Sequence, residues 1–201
     1  MIHKESVTMT NMHTPLHHIT LPETVADAGI VMSEDKLVGH LNLRGNPADQ
    51  AFTETVAKVL GVALPMEPHT GAEVGATRIY WLSPNEWLLL VAPDTQEQVE
   101  LDLRAALKGQ HMAITDISSG QTLVNLAGTA VDELMLKSTV YDCHISNFPV
   151  GKVVQTTFAK TGATIYKCAD GSFDLVIRRS FADYFYLWLK DASDEYGLAV
   201  I

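Results

Sequence analysis

Arg78-Ile79-Tyr80-Trp81-Leu82, the turn Ser83-Pro84-Asn85, and Glu86-Trp87-Leu88-Leu89-Leu90-Val91-Ala92 form the stretch from which the fold is read. Two runs rich in aromatic and aliphatic residues flank a Pro-Asn turn, which predicts a β-hairpin. Upstream, residues 37–44 alternate Leu37, Gly39, Leu41 and Leu43 with Val38, His40, Asn42 and Arg44, the period of a strand with one buried face. A helix over residues 47–60 is expected next, with Asn46 as cap, Pro47 in the first turn, Phe52, Val56, Val59 and Leu60 on one face, and Gly61 as its stop. Downstream, Asp94 or Thr95 opens a second helix carrying Val99, Leu103, Ala106 and Leu107, and Gly109 ends it before a strand at residues 111–117. The order β-α-β-β-α-β is that of a split βαβ unit, in which two helices cover one face of a four-stranded antiparallel sheet.

The remainder reads as a second unit of the same kind. Strands are expected at residues 122–126, 152–159, 163–167, 173–177 and 197–201. Helices are expected at residues 129–137, opened by Thr129 and Asp132, and from Ser180 onward, opened by Ser180 and Asp183 and carrying Phe181, Tyr184, Phe185 and Trp188. The fold class is therefore α+β, as two tandem ferredoxin-like α/β sandwich halves over residues 36–118 and 119–201. Residues 1–35, rich in Thr, His, Met and small residues without a sustained period, are expected to form an arm outside the core.

A chain of 201 residues at 47% hydrophobic and 19% charged composition has enough material for a substantial core. The net charge of -10 repels a phosphate backbone, which argues against nucleic acid and anionic membranes as partners. No apolar run reaches the roughly 20 residues that span a bilayer, and no signal peptide is evident, so a soluble protein is expected. Cys143 and Cys168 show no Cys-x-x-Cys spacing, which fits a reducing cytoplasm.

Motifs that carry chemistry are scarce. Neither G-x-G-x-x-G nor G-x-x-x-x-G-K occurs, and no H-x-x-x-H or H-E-x-x-H places two histidine ligands on one helical face: His3, His13, His17 and His18 fall in the arm, and His40, His69, His111 and His144 in separate elements. Cys143-His144 are neighbours whose side chains diverge, and Ser118-Ser119-Gly120 reads as a turn, not a nucleophile elbow. The best candidate for a ligand is Arg178-Arg179 with Asp183. These could hold a carboxylate or phosphate bidentately, or form an Arg-Asp ion pair that pins the helix start. Arg44, also between a strand and a helix, allows the same two readings. Trp81, Trp87 and Trp188 with Tyr80, Tyr184 and Tyr186 could form a stacking platform or anchor a partner, or simply fill the core.

Three segments together resemble the gamma subunit of heterotetrameric sarcosine oxidase: Leu41-Asn42-Leu43-Arg44-Gly45-Asn46-Pro47-Ala48-Asp49, Trp81-Leu82-Ser83-Pro84-Asn85-Glu86-Trp87-Leu88-Leu89, and Arg178-Arg179-Ser180-Phe181-Ala182-Asp183-Tyr184. Asp116-Ile117-Ser118 with Gly120-Gln121-Thr122, and Phe148-Pro149 with Gly151 and Gln155-Thr156, add to it in the same order. The sequence departs from that family at Lys137-Ser138-Thr139, where Lys-Gly-Cys is expected, and in its longer N-terminal arm. The resemblance implies a fold related to the folate-binding aminomethyltransferase and tRNA-modification domains. It also implies an assembly with alpha, beta and delta chains that oxidises sarcosine to glycine. FAD, FMN, NAD, zinc and tetrahydrofolate would belong to those other chains, with no catalytic, cofactor or metal site in this one. Arg44, Trp87, Arg178, Arg179 and Asp183 would then be interface or structural residues. Two other readings remain open. One is a stand-alone folate-binding aminomethyltransferase-like protein, for which Asp116 is the acid nearest a seam between the halves; the other is an interaction module of a different complex.

Overall fold

The computed structural model describes residues 12–19 and 27–201. In chain order, β1 (Ile30–Asp35) and β2 (Gly39–Arg44) precede α1 (Gln50–Leu60), followed by β3 (Gly71–Val74), β4 (Thr77–Ser83), β5 (Glu86–Val91) and α2 (Gln96–Ala106). Then come β6 (Ala113–Asp116), β7 (Gln121–Ala127), α3 (Val131–Ser138), β8 (Val153–Phe158), β9 (Thr161–Lys167), β10 (Phe173–Arg178), α4 (Ala182–Ala192) and β11 (Leu198–Val200). One sheet has the order β3-β4-β5-β2-β6, and the other β11-β1-β7-β10-β9-β8.

The hairpin read from residues 78–92 is β4 and β5, with Arg78 opposite Leu90 and Trp81 opposite Trp87. Trp87, Leu88, Leu89, Leu90 and Val91 are all buried. A strand with one solvated face would alternate, so continuous burial places β5 between two apolar layers. On one side Leu41, Leu43, Ile79, Trp87, Leu89 and Ile114 meet α1 and α2 through Phe52, Val56 and Leu103. On the other, Tyr80, Leu88 and Leu90 meet Leu123, Val153, Tyr166 and Val176 of the second sheet. The second sheet's far face packs under α3 and α4, where Val124, Leu126, Phe173, Leu175, Leu134 and Phe185 are buried together. The molecule is thus four layers, helices outside and two sheets back to back within.

The seam between the sheets also holds charge. Asp174, 1% exposed, accepts from Tyr80 Oη at 3.1 Å and Asn125 Nδ2 at 2.8 Å. Arg78 Nη1 lies 3.0 Å from Asp174 and 3.2 Å from Asp35. Burial opposes the Arg78 charge, but Asp174, Tyr80 and Asp35 outweigh it and hold its pKa above the ordinary value. The Tyr80 phenol is pushed well up by burial and by Asp174, so it stays a donor. Tyr80 stacks on Tyr166 with centroids 4.8 Å apart. At one edge of the seam a Cβ on Gly71 would stand 2.7 Å from the Tyr166 ring, so glycine there permits the close approach of the sheets.

The fold departs from the sequence expectation in several places. Residues 30–35, assigned to an arm outside the core, form β1, which lies between β7 (antiparallel) and β11 (parallel). Ile30 and Met32 drive this by burying alternate side chains at 0% and 1% exposure. The first sheet exceeds the expected four strands by β3, and the second exceeds the five strands read from the sequence by β1. Asp49, not Asn46, caps α1, accepting from the backbone of Ala51 and Phe52. The boxes expected at Thr129 and Ser180 do not form: neither α3 nor α4 has a side-chain cap, and Asp132 instead pairs with Lys167 at 2.9 Å.

Removing the buried carboxylate leaves Arg78, Tyr80 and Asn125 without their shared acceptor. Asp174→Ala is therefore expected to cost about 3–5 kcal/mol and Tyr80→Phe about 1–2 kcal/mol in urea unfolding. Equal, small losses in both would show that the seam's polar ties are dispensable.

Candidate functional site

Residue by residue, the structure separates the sequence's best candidate cluster. Arg178 ends β10, and Arg179 follows in a short 3-10 turn that leads into α4. Arg179 Nη2 donates to the His13 carbonyl at 2.8 Å. The Asp183 carboxylate lies 3.0 Å from His18 Nε2. The expected Arg-Asp pair is not made, because residues 12–19 lie across this end of the second sheet and take both partners. Leu16 of that segment is buried in the core, and its N–H donates to Glu34 Oε2 at 3.2 Å. Glu34 in turn accepts from Thr122 Oγ1 at 2.7 Å. The His18–Asp183 pair is well exposed, so it adds at most about 1 kcal/mol; the apolar side chain of Leu16 and the Glu34 bond supply the grip.

Arg178 lies apart from this clamp. It pairs in register with Gln121, is exposed, and lines a cleft of about 430 Å³ with Gln121, Gln155, Gly162, Thr164 and Val176. Arg44 is at another corner, donating to Asn85 Oδ1 at 3.1 Å and lying 4.0 Å from Glu86, which ties the end of β2 to the β4–β5 turn. Trp87 is fully buried, with Nε1 donating to the Pro65 carbonyl at 2.8 Å, so it is a core residue and not a surface anchor. Trp188 is half-buried, with Nε1 donating to Ser138 Oγ at 3.0 Å; the serine that replaces the expected glycine thus has a role in packing.

The groups that could do chemistry are occupied in holding the chain. Asp116 accepts from the backbone and hydroxyl of Ser118, and Ser118 Oγ accepts from the His40 backbone N–H at 2.9 Å. Asp116 therefore builds the turn between the two sheets. Burial pushes the Cys143 thiol up to about 11, and burial with Asp174 pushes Cys168 up to about 12. Both stay protonated at neutral pH, when a nucleophile would need the thiolate. The His144 ring bonds Ser146 Oγ at 2.8 Å rather than Cys143. Among the described residues, no group of three or more His, Cys, Asp or Glu side chains is placed to hold a metal ion. Among them, too, no helix is long and apolar enough to cross a membrane.

His40 is 2% exposed. Its Nδ1 lies 2.9 Å from the Val38 carbonyl, and its Nε2 has no partner among the described residues. Burial lowers its pKa to about 4, against the opposing pull of the Val38 carbonyl and Asp116. The unfolded histidine binds a proton between about pH 6.5 and 4 while the folded one does not, so its contribution to stability is present above 6.5 and is lost as pH falls. A drop from pH 7.5 to 5 should cost about 2 kcal/mol through this residue. Urea titrations of wild type and His40→Leu at both pH values check this: the variant should lose less stability on acidification by about that amount. A second measurement concerns the clamp. Arg179→Ala is expected to speed hydrogen exchange and proteolysis at residues 12–19 while leaving the exchange of β7 and β10 unchanged.

The model of the sarcosine oxidase gamma subunit family matches residues 44–195. The sarcosine oxidase subunit gamma of Corynebacterium sp. strain P-1 is 29% identical over 189 residues, which cover 92% of this chain and 91% of the relative. Among solved structures, the heterotetrameric sarcosine oxidase from Corynebacterium sp. U-96 in complex with pyrrole 2-carboxylate contains a chain that superposes with a TM-score of 0.83. That chain is 24% identical, and the match covers 94% of this chain and 98% of that one. The glycine cleavage system aminomethyltransferase T from Bartonella henselae superposes with a TM-score of 0.62 at 10% identity, over 87% of this chain and 48% of that one. Both superpositions establish a shared α+β architecture with two sheets. Given a family match that takes in all four helices and the strands β3 to β10, this chain belongs to the sarcosine oxidase gamma subunit family.

Proposed function

We propose that this chain is a non-catalytic gamma subunit that packs against the alpha, beta and delta chains of a cytoplasmic heterotetrameric sarcosine oxidase. The complex oxidises sarcosine to glycine, with FAD, FMN, NAD, zinc and tetrahydrofolate carried by the partner chains. The observation that carries this reading is the family match over residues 44–195. It is supported by the employment of the candidate reactive groups: Asp116 and His40 in the turn between sheets, both thiols protonated, and Arg179 and Asp183 on the N-terminal segment. In this reading each sheet is a ferredoxin-like half with strands added, β3 at the edge of the first, and in the second β8 at the edge and β1 between β11 and β7. A stand-alone folate-binding protein would need open space between the halves. Tyr80, Leu123, Tyr166 and Val176 occupy that seam instead.

Co-expression of the tagged chain with the genes encoded beside it tests the proposal, through size exclusion and a sarcosine-dependent peroxide assay of the material that co-purifies. Flavin-coloured chains that co-elute and turn over sarcosine are the expected result. A chain that elutes alone while binding a folate would overturn it.

A further inference from the structure

The inner face of the second sheet is wider than the first sheet that covers it. Strand register places three successive rows on that face. Asp174, Asn125, Tyr166 and Val153 form the first, and Val176, Leu123, Thr164 and Gln155 the second. Arg178, Gln121, Gly162 and Thr157 form the third. The first row is the charged seam beneath Tyr80 and Arg78. The cover ends in the second row, where Gln155 Nε2 donates to the Leu82 carbonyl at 2.7 Å. The third row is open, and it floors the cleft of about 430 Å³ already described.

Two features of this row are not explained by the fold of the chain itself. Gly162 lies inside β9 without a positive φ, and a Cβ there would meet nothing within 4 Å. Neither backbone conformation nor internal packing requires glycine, and in a strand it is less stable than alanine. The register of β9 with β8 and β10 is unbroken, so Gly162 makes no bulge, and a bare glycine in such a strand often marks the close approach of another backbone or a ligand. Beside it, Arg178 makes no ion pair or side-chain hydrogen bond with any described residue, in a chain of net charge -10. The cleft lining contains no acid: around Arg178 stand Gln121, Gln155 and Thr164, all neutral, and the buried Gln121 Oε1 has no partner. The site is a positive, hydrogen-bonding notch in an otherwise acidic molecule.

We infer that this notch receives a segment of a partner chain of the complex, whose backbone crosses Gly162 and whose carboxylate pairs with Arg178. The guanidinium fork suits a carboxylate held bidentately, and Gln121 Nε2 and Gln155 Oε1, neither bonded to a described residue, suit the backbone that carries it. This inference rests on the subunit reading, and it names the face that reading leaves unassigned.

The test uses the co-expressed complex with Arg178→Glu and Gly162→Leu in this chain, and Lys108→Glu, an exposed charge reversal beyond α2, as control. Circular dichroism and thermal melting of each variant report folding; both test positions are exposed, so wild-type melting is expected. Arg178→Glu and Gly162→Leu should each weaken retention of the partner chains by at least about tenfold, the scale of losing a paired charge or blocking an interface, while Lys108→Glu assembles normally. Wild-type assembly by either test variant overturns the notch and leaves the subunit reading intact. Failure of the wild-type chain itself to assemble overturns both.

Discussion

Everything in this molecule is arranged around one buried carboxylate. Asp174 projects from the second sheet into the seam and is met there by Arg78 and Tyr80 of the first sheet and by Asn125 of its own. An unpaired charge at 1% exposure would be intolerable, and with three donors it becomes a constraint on position. The sheets can slide over Leu88, Leu90, Leu123 and Val176 at little cost, since apolar contact is non-directional. They cannot slide past Asp174 without stranding Arg78. The hydrophobic seam supplies the attraction between the two sheets, and the ion pair fixes their relative position.

That arrangement explains which parts of the fold were legible in the sequence. Phe52, Val56 and Leu60 face one core from one side of a helix, and the turn Ser83-Pro84-Asn85 joins two runs with no other plausible pairing. Such signals are local, and the hairpin and the main helices follow from them. The Glu86–Val91 run is legible as a strand, and its unbroken apolar stretch from Trp87 to Val91 reflects burial on both faces, between helices and a second sheet. Residues 30–35 read as part of an arm because their pairing is remote. Ile30 sits beside Leu198 in the parallel pair, at the opposite end of the chain, and only there do Ile30 and Met32 find their buried face. A six-residue run that ends in Ser33-Glu34-Asp35 is weak evidence for a strand until its partner is known.

The candidate residues show the same division. Arg178, Arg179 and Asp183 stood out as a charged group at a strand-helix junction, and the junction is real. Their partners were not legible, because His13 and His18 approach from more than 150 residues away and the bonds are made to a backbone carbonyl and an exposed imidazole. Trp87 was equally conspicuous, yet its indole N–H is satisfied by Pro65 inside the first core. Arg78 and Asp174, on which the assembly of the sheets depends, carried no motif at all. Each looked like an ordinary polar residue of an alternating strand, and only the second sheet turns that polar face inward.

A filled seam changes where such a fold can bind anything. In two sheets packed back to back, a ligand site between them requires small side chains or a gap, and here Tyr80 stacked on Tyr166 closes the middle while Gly71 draws the edge tight. Both outer faces are taken by helices. What remains is the margin, where one sheet is wider than the other and the inner face emerges into solvent. There the polar character needed to satisfy Asp174 inside continues outward as Gln121 and Arg178, without the covering layer. The same alternation that builds the seam therefore leaves a row of unused hydrogen-bonding groups at its rim. Arg44, Arg78, Arg104 and Arg179 are each engaged by a described side chain or carbonyl and Arg178 is not, so that rim is the surface best suited to hold a neighbour.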